Sequence, residues 1–285
     1  MLQFFIAIVG LYLFMICPKL THRNNMELFC KTPLAHRGIH DNKAVPENSL
    51  KAFKAAVDAG CGIELDVQFT RDMKLVVFHD ENLKRMCGDD RLVIDVDYDE
   101  LSEMRLMETD EKIPLLSEVL ELVGGKVPLL IEMKNELKVV WEMPRALYTI
   151  MKDYNGVYAI ESFNPMFIRK YRKLDKTVAR GVLSMKFTKE KIKKRQTLLA
   201  ITLENLMWNF MAKPDFIAYR VTDYNKISLR LNHLLGATAV AWGVPEPSLI
   251  CEKMKKHFDC FICDMEREDD AAVDDDENAE SGHSL

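Results

Sequence analysis

From about Lys31 onward the chain alternates short apolar runs with longer stretches of helical period, eight times over, and few architectures answer to that pattern. The strand candidates are Thr32–Ala35, Gly62–Phe69, Val127–Met133, Tyr158–Phe163, Val178–Leu183, Phe216–Tyr219, Ala237–Trp242 and Cys260–Cys263. Helix-like segments lie between them at Ser49–Ala59, Leu116–Val123, Glu142–Tyr154, Lys226–Leu235 and Glu246–Phe258. Ser49–Ala59 is typical: Leu50, Phe53 and Val57 form one stripe, Pro46 lies near its start and Gly60 at its end. Strand followed by helix implies parallel strands joined by crossover helices, so the class is α/β. A doubly wound sheet and a closed barrel both satisfy this alternation. No repeat of 20–50 residues and no Pro/Gly/Ser linker divides the region, which points to one domain. The length of 285 residues suits a single (β/α)₈ barrel of about 250 residues.

The two ends differ from this body. Leu2 to Cys17 is apolar apart from Gln3 and Gly10 and is stopped by Pro18. These 16 positions would span roughly 24 Å as a helix, just under the usual crossing length. No basic residue precedes the run, whereas Lys19, His22 and Arg23 follow it. That arrangement predicts a single membrane anchor over residues 1–18 in the cell membrane, with the remainder in the cytoplasm. The barrel is expected over 31–266, followed by an acidic, disordered tail over 267–285. Glu266 to Glu280 holds nine acids and one base, so the rest of the chain has 38 basic against 35 acidic residues. The overall charge of −5 therefore belongs to the tail, and the mildly basic body suits an anionic substrate rather than nucleic acid. The seven cysteines are odd in number and scattered, which reads as reduced thiols. Cys251, His257, Cys260 and Cys263 lack the paired knuckle spacing of a zinc site.

Chemistry concentrates between Leu34 and Asp80. Glu64 and Asp66 are two apart on an apolar strand, so both carboxylates share a face, where they repel unless a cation or proton intervenes. Hard divalent cations take oxygen ligands of this kind. Glu132 ends the next strong strand, with Lys134 on the same side; His36-Arg37-Gly38 ends the first strand and His79-Asp80 a short extended run after the second. All would lie at the carboxyl ends of parallel strands, where barrel enzymes build their sites. Three acids, two imidazoles, an arginine and a lysine suit phosphoryl chemistry. Each element alone also has a plainer reading: a surface ion pair for Glu132 and Lys134, or a helix start for Pro46-Glu47-Asn48-Ser49. Their joint occurrence at strand ends favours a site.

Together these residues resemble the glycerophosphodiester phosphodiesterase family. The likeness rests on His36-Arg37-Gly38, Pro46-Glu47-Asn48, Glu64-Leu65-Asp66-Val67, Val76-Val77-Phe78-His79-Asp80 and Glu132-Met133-Lys134, then more weakly on Glu161-Ser162-Phe163 and Trp242. The resemblance implies a (β/α)₈ barrel that hydrolyses glycerophosphodiesters to sn-glycerol 3-phosphate and an alcohol with one divalent cation, Mg²⁺ or Ca²⁺. It implies Glu64, Asp66 and Glu132 as metal ligands and His36 and His79 as the acid–base pair. Arg37, Glu47, Asn48, Lys134, Phe163 and Trp242 would contact substrate. Two features depart from the family pattern: Trp242 is followed by Gly243 rather than threonine, and the segment from His79 to Pro114 is short.

The sequence leaves two rivals. One is a lysophospholipase D on the same barrel, served by a lip formed from the basic run Lys186–Arg195 and the apolar stretch Leu198–Met211. The other is a catalytically idle barrel that binds phosphodiesters or lipids. No obligatory protein partner is indicated.

Overall fold

All eight apolar runs become strands. In the computed structural model, which describes residues 1–20, 24, 26–134, 141–187 and 197–266, the strands are β1 (Leu34–Ile39), β2 (Ile63–Phe69), β3 (Leu75–Val77), β4 (Leu129–Met133), β5 (Tyr158–Ser162), β6 (Ala179–Ser184), β7 (Phe216–Arg220), β8 (Thr238–Val244) and β9 (Cys260–Met265). Neighbours pair in parallel in the order β1-β2-β4-β5-β6-β7-β8-β9, and β9 returns to β1. That last pairing decides what alternation left open: the sheet is a closed eight-stranded barrel. Only β3 stands outside it, as an antiparallel hairpin on β2.

Two-residue periodicity divides the apolar side chains between two cores. Leu34, Leu130, Ala159, Leu183, Phe216, Val240 and Ile262 fill the barrel lumen. The alternate residues, such as Leu65, Val67, Ile131, Met133 and Ile160, face outward against Phe53 and Ala56 of the helix Leu50–Asp58, Val119 of Leu116–Val123, Leu147 of Met143–Met151 and Phe167 of Pro165–Leu174. Local chemistry sets the helix ends. Ser49 Oγ accepts from the Ala52 amide at 3.1 Å, and Asn164 Oδ1 accepts from the Met166 amide at 3.0 Å, each satisfying a donor that the first turn leaves free.

Several expectations require correction. Glu246–Phe258 is not one helix but a 3₁₀ turn, Pro247–Leu249, and a short helix, Glu252–Lys255. The break lies between the two pieces, where Ile250 and Cys251 are extended, with ψ of 99° and 165°. The segment from His79 to Pro114 is short but not featureless. It folds over β3 as a lobe with its own apolar core of Phe78, Leu83, Met86, Val93, Leu101 and Ile113.

The cysteines are not all free thiols. Cys30 and Cys260 form a disulfide across 230 residues, because Cys30 lies just before β1 and Cys260 opens the adjacent β9. Sequence spacing cannot register a contact made by barrel closure. With Cys260 engaged and Cys251 exposed, the zinc constellation does not assemble.

The apolar N-terminus is a helix, Leu2–Ile16, of 15 residues. At about 22 Å it is shorter than the roughly 30 Å hydrocarbon core of a bilayer. No helix among the described residues is long and apolar enough to cross a membrane, so the expected crossing anchor is not supported. Its last turns pack on the barrel: Phe14 stacks near Phe210 at 5.5 Å, and Asn209 Nδ2 donates to the Ile16 carbonyl. Residues 267–285, expected as a disordered tail, lie outside the described residues, as does most of the basic run Lys186–Arg195.

Candidate active site

Parallel register assembles the site row by row. His36 on β1 is level with Glu64 on β2; Asp66 is level with Glu132 on β4, and Glu132 with Glu161 on β5. Because Leu65, Ile131 and Ile160 face the helices, all four carboxylates point into the barrel near its carboxyl end. One oxygen each from Glu64, Asp66 and Glu132 lies within 4.8 Å of the others, and all three residues are buried. Among the described residues this is the sole grouping of histidine, cysteine or acid side chains that could hold a metal ion.

Charge in this cluster is unevenly compensated. Burial and the carboxylates of Asp66, Glu161 and Glu132 push Glu64 well above the usual carboxylate range, and burial beside Glu132 and Asp66 does the same to Glu161. Asp66 behaves oppositely. Burial raises it, but Lys134, His79, Arg37 and His36 together hold it well below its ordinary value. Lys134 Nζ sits 3.3 Å from Asp66 and 3.2 Å from Glu132. Even so, two buried oxygens of the site, Asn48 Oδ1 and Glu161 Oε2, have no hydrogen-bond partner. Buried oxygens short of positive charge and of donors suit a hard divalent cation, so the donor set fits the expected ion, with Mg²⁺ and Ca²⁺ both compatible.

Both histidines are oriented in the same way. His36 Nδ1 is 2.6 Å from Asp264 Oδ1 and His79 Nδ1 is 2.7 Å from Asp80 Oδ1. A carboxylate can only accept, so each Nδ1 carries a proton and each Nε2 is left without that partner. His36 Nε2 faces the acids, 3.9 Å from Glu64 Oε2. Burial together with Lys134 and Arg37 pushes His79 below its ordinary value, against the opposing pull of Asp66.

Arg37 and Asn48 both adopt left-handed backbone, with φ of 59° and 55°. Such residues persist when their surroundings over-determine them. Here the Asn48 amide donates to the Arg37 carbonyl at 2.9 Å, while Asn48 Nδ2 donates to Asp66 at 2.9 Å. Arg37 donates to Glu47 at 2.7 Å, which aims its guanidinium across the acid cluster, and its buried Nε makes no hydrogen bond. The glycine that follows is dictated by packing: a Cβ at Gly38 would lie 2.8 Å from the backbone of Ala52.

Phe163 and Trp242 stand at the ends of β5 and β8 and pair edge to face at 5.9 Å, with Trp242 Nε1 donating to the Ser184 carbonyl. Gly243, the departure from the family pattern, has φ of 73° beside a register shift between β8 and β9, a conformation that favours glycine over threonine.

Sequence reasoning missed Arg85 and Asp264 and gave no role to Glu161. Arg85 donates to both Glu47 oxygens, at 2.6 and 2.9 Å, and to Asp80 at 2.6 Å, linking the Arg37 clamp to the partner of His79. Asp264 orients His36 from β9, and Glu161 adds a fourth carboxylate. An inward acid on an apolar strand, the signal that singled out Glu64 and Asp66, was present at Glu161 too. Asp264, the acid of the apolar strand β9, carried the same signal, whereas nothing local marks Arg85.

The chain resembles known proteins in both sequence and fold. It is 38% identical over 160 residues to a glycerophosphodiester phosphodiesterase of Caldanaerobacter subterraneus, covering 53% of this chain and 65% of that one. It is 32% identical over 161 residues to a human lysophospholipase D, covering 52% and 49%. The chain thus spans less than two thirds of the length of these relatives. An Oleispira antarctica phosphodiesterase, solved with the product sn-glycerol-3-phosphate, superposes with a TM-score of 0.66 at 21% identity, covering 81% of this chain and 92% of that one. A Thermotoga maritima glycerophosphodiester phosphodiesterase gives 0.61 at 26%, covering 81% and 92%. The model of the glycerophosphoryl diester phosphodiesterase family matches residues 36–265, the whole barrel with its acids, imidazoles and Arg37, and the chain belongs to that family.

Proposed function

We propose that this protein hydrolyses glycerophosphodiesters to sn-glycerol 3-phosphate and an alcohol. The observation that carries the reading is the convergence of three buried carboxylates, two imidazoles with pinned Nδ1 atoms and a clamped arginine at one end of the barrel. Glu64, Asp66 and Glu132 would hold one divalent cation, which supplies the positive charge that offsets the phosphate and its transition state. Arg37 would present its guanidinium to phosphate oxygens as a two-pronged donor, with Lys134 adding a point charge. His79, kept neutral by burial and neighbouring cations, would accept the proton of the attacking oxygen. His36, carrying a second proton at Nε2 while Asp264 accepts from Nδ1, would give that Nε2 proton to the leaving alkoxide. Phe163 and Trp242 would offer an apolar wall to the glycerol carbons or the alcohol.

The test is release of glycerol 3-phosphate from glycerophosphocholine, glycerophosphoethanolamine and glycerophosphoglycerol, with Mg²⁺, with Ca²⁺ and with chelator. Metal-dependent release supports the reading; binding of the diesters without turnover would leave an idle receptor. A second reading, lysophospholipase D activity, is favoured by Leu198, Leu199 and Ile201, which stand exposed on the helix Thr197–Glu204 just past the carboxyl end of β6. Beside the catalytic mouth, that apolar edge suits a lipid surface. Lysophosphatidate released from dispersed lysophospholipids, with silence on soluble diesters, would select it.

A further inference from the structure

A second concentration of charge lies at the opposite end of the barrel. There the foot of the N-terminal helix meets the starts of β6 and β7, and a cavity of about 520 Å³ opens between Lys19, Arg172, Lys173, Lys176, Arg180 and Lys213. Six cations line it. The acid beneath them, Asp215, is fully buried and already saturated: Lys19 Nζ lies 3.1 Å from Oδ1, Arg180 Nη2 lies 3.0 Å from Oδ2, and the amides of Asn24 and Arg180 donate to it at 3.0 and 3.1 Å. Asp175 nearby accepts from Thr177. Arg172, Lys173, Lys176 and Lys213 make no ion pair among the described residues, so the cavity carries a surplus of positive charge.

Surface lysines alone would mean little, but Arg180 is not on the surface. Its side chain leaves β6 on the outward face, like Val182, and is completely buried. Its Nη1 donates to the Val178 and Asp175 carbonyls, whereas Nε and Nη2 make no hydrogen bond and only Nη2 has a charged partner, Asp215. The buried guanidinium adds its charge from behind the cavity wall, and with the cations that line the opening it favours an anion with several oxygens. We propose that this cavity is a second, non-catalytic site for a phosphoryl oxyanion, either a free phosphate group or the headgroup phosphate of an anionic lipid. The two sources have different consequences. A lipid headgroup held here would turn the catalytic mouth away from that bilayer and favour soluble substrates.

Hydrogen exchange read by mass spectrometry on the full chain tests the proposal. The probes are inorganic phosphate, phosphatidylcholine vesicles, and phosphatidylcholine vesicles containing phosphatidic acid. Peptides over residues 172–180 and 213–215 report this cavity, and those over 36–48 report the catalytic end, so the two sites are read separately. If the ligand is free phosphate, inorganic phosphate slows exchange at 172–180. In the double variant Lys176→Gln/Lys213→Gln that affinity falls by about tenfold or more, while turnover of soluble diesters is unchanged. If it is a lipid headgroup, only the vesicles with phosphatidic acid protect these peptides, again less in the variant. No protection by any probe, or equal protection in variant and parent, overturns the proposal. Lys173→Gln, on an exposed side chain, serves as a second variant should the double one fold poorly.

Discussion

One carboxylate oxygen beside each imidazole decides which ring nitrogen holds its proton. Asp264 and Asp80 fix the tautomers of His36 and His79, so Asp264→Asn should lower turnover by about 10–100-fold with little change in metal affinity. Loss of metal binding instead would make Asp264 part of the ligand shell. The division of labour between the histidines is also testable. His36→Ala should lose about 10²–10⁴-fold on an alkyl diester and recover much of it on a nitrophenyl diester, whose leaving group needs no proton. Recovery by His79→Ala instead would reverse the roles. Glu64→Gln should raise the cation concentration needed for half-maximal rate, measured by titration after chelation; an unchanged requirement removes Glu64 from the donor set. Legibility in the sequence follows range. Glu64, Asp66 and Glu132 were readable because an acid on an apolar strand conflicts with its surroundings. The role of Asp264 was not, although it too is an acid on an apolar strand, because its partner is 228 residues away.

At the scale of the element, the turn from β1 into the helix Leu50–Asp58 carries most of the site's precision. Gly38→Ala would force a Cβ against the Ala52 backbone at φ of 85°, so about 1–3 kcal/mol of stability should be lost in denaturant unfolding. A neutral outcome would mean that the helix can slide. Glu47, in the same turn, is held down to about 2, mainly by Arg85 and Arg37 against the upward effect of burial. A carboxylate whose folded value lies below its unfolded one stabilises the protein above about pH 4.5, and that stabilisation disappears as pH falls towards 2. Arg85→Ala should therefore cost about 1–3 kcal/mol at neutral pH, discounted for the half-exposed guanidinium, and the gap from the parent should close in acid. A gap independent of pH would exclude Glu47 as its source. Every barrel strand was legible from hydrophobic period, within three or four residues at each end. The helix expected at Glu246–Phe258 failed because period alone does not register the extended backbone at Ile250 and Cys251 that divides it. The lobe over β3 was invisible because its turns are too short for any period.

For the molecule as a whole, alternation established α/β but could not choose between an open sheet and a barrel, since closure depends on one pairing between the first strand and the last. The apolar N-terminus was legible as a helix, not as a span. Its first nine residues are exposed, and only its last turns touch the barrel. Removing residues 2–10 should move the thermal midpoint by less than about 2 °C in a calorimetric melt, whereas a large drop would reveal packing that the contacts do not show.

The closing pair β1 and β9 has a consequence for how the protein is made. The acids of β2 and β4 can come together early in synthesis, but β1 must wait for a neighbour some 220 residues downstream, on the order of ten seconds or more at the ribosome. Through that interval β1 has an unpaired edge, and His36 lacks the aspartate that orients it. A nascent chain halted before Cys260 would hold the cation donors without a working proton relay. On the proposed function, full turnover is expected only once the barrel's first and last strands have met, which would make it a reporter of completed folding.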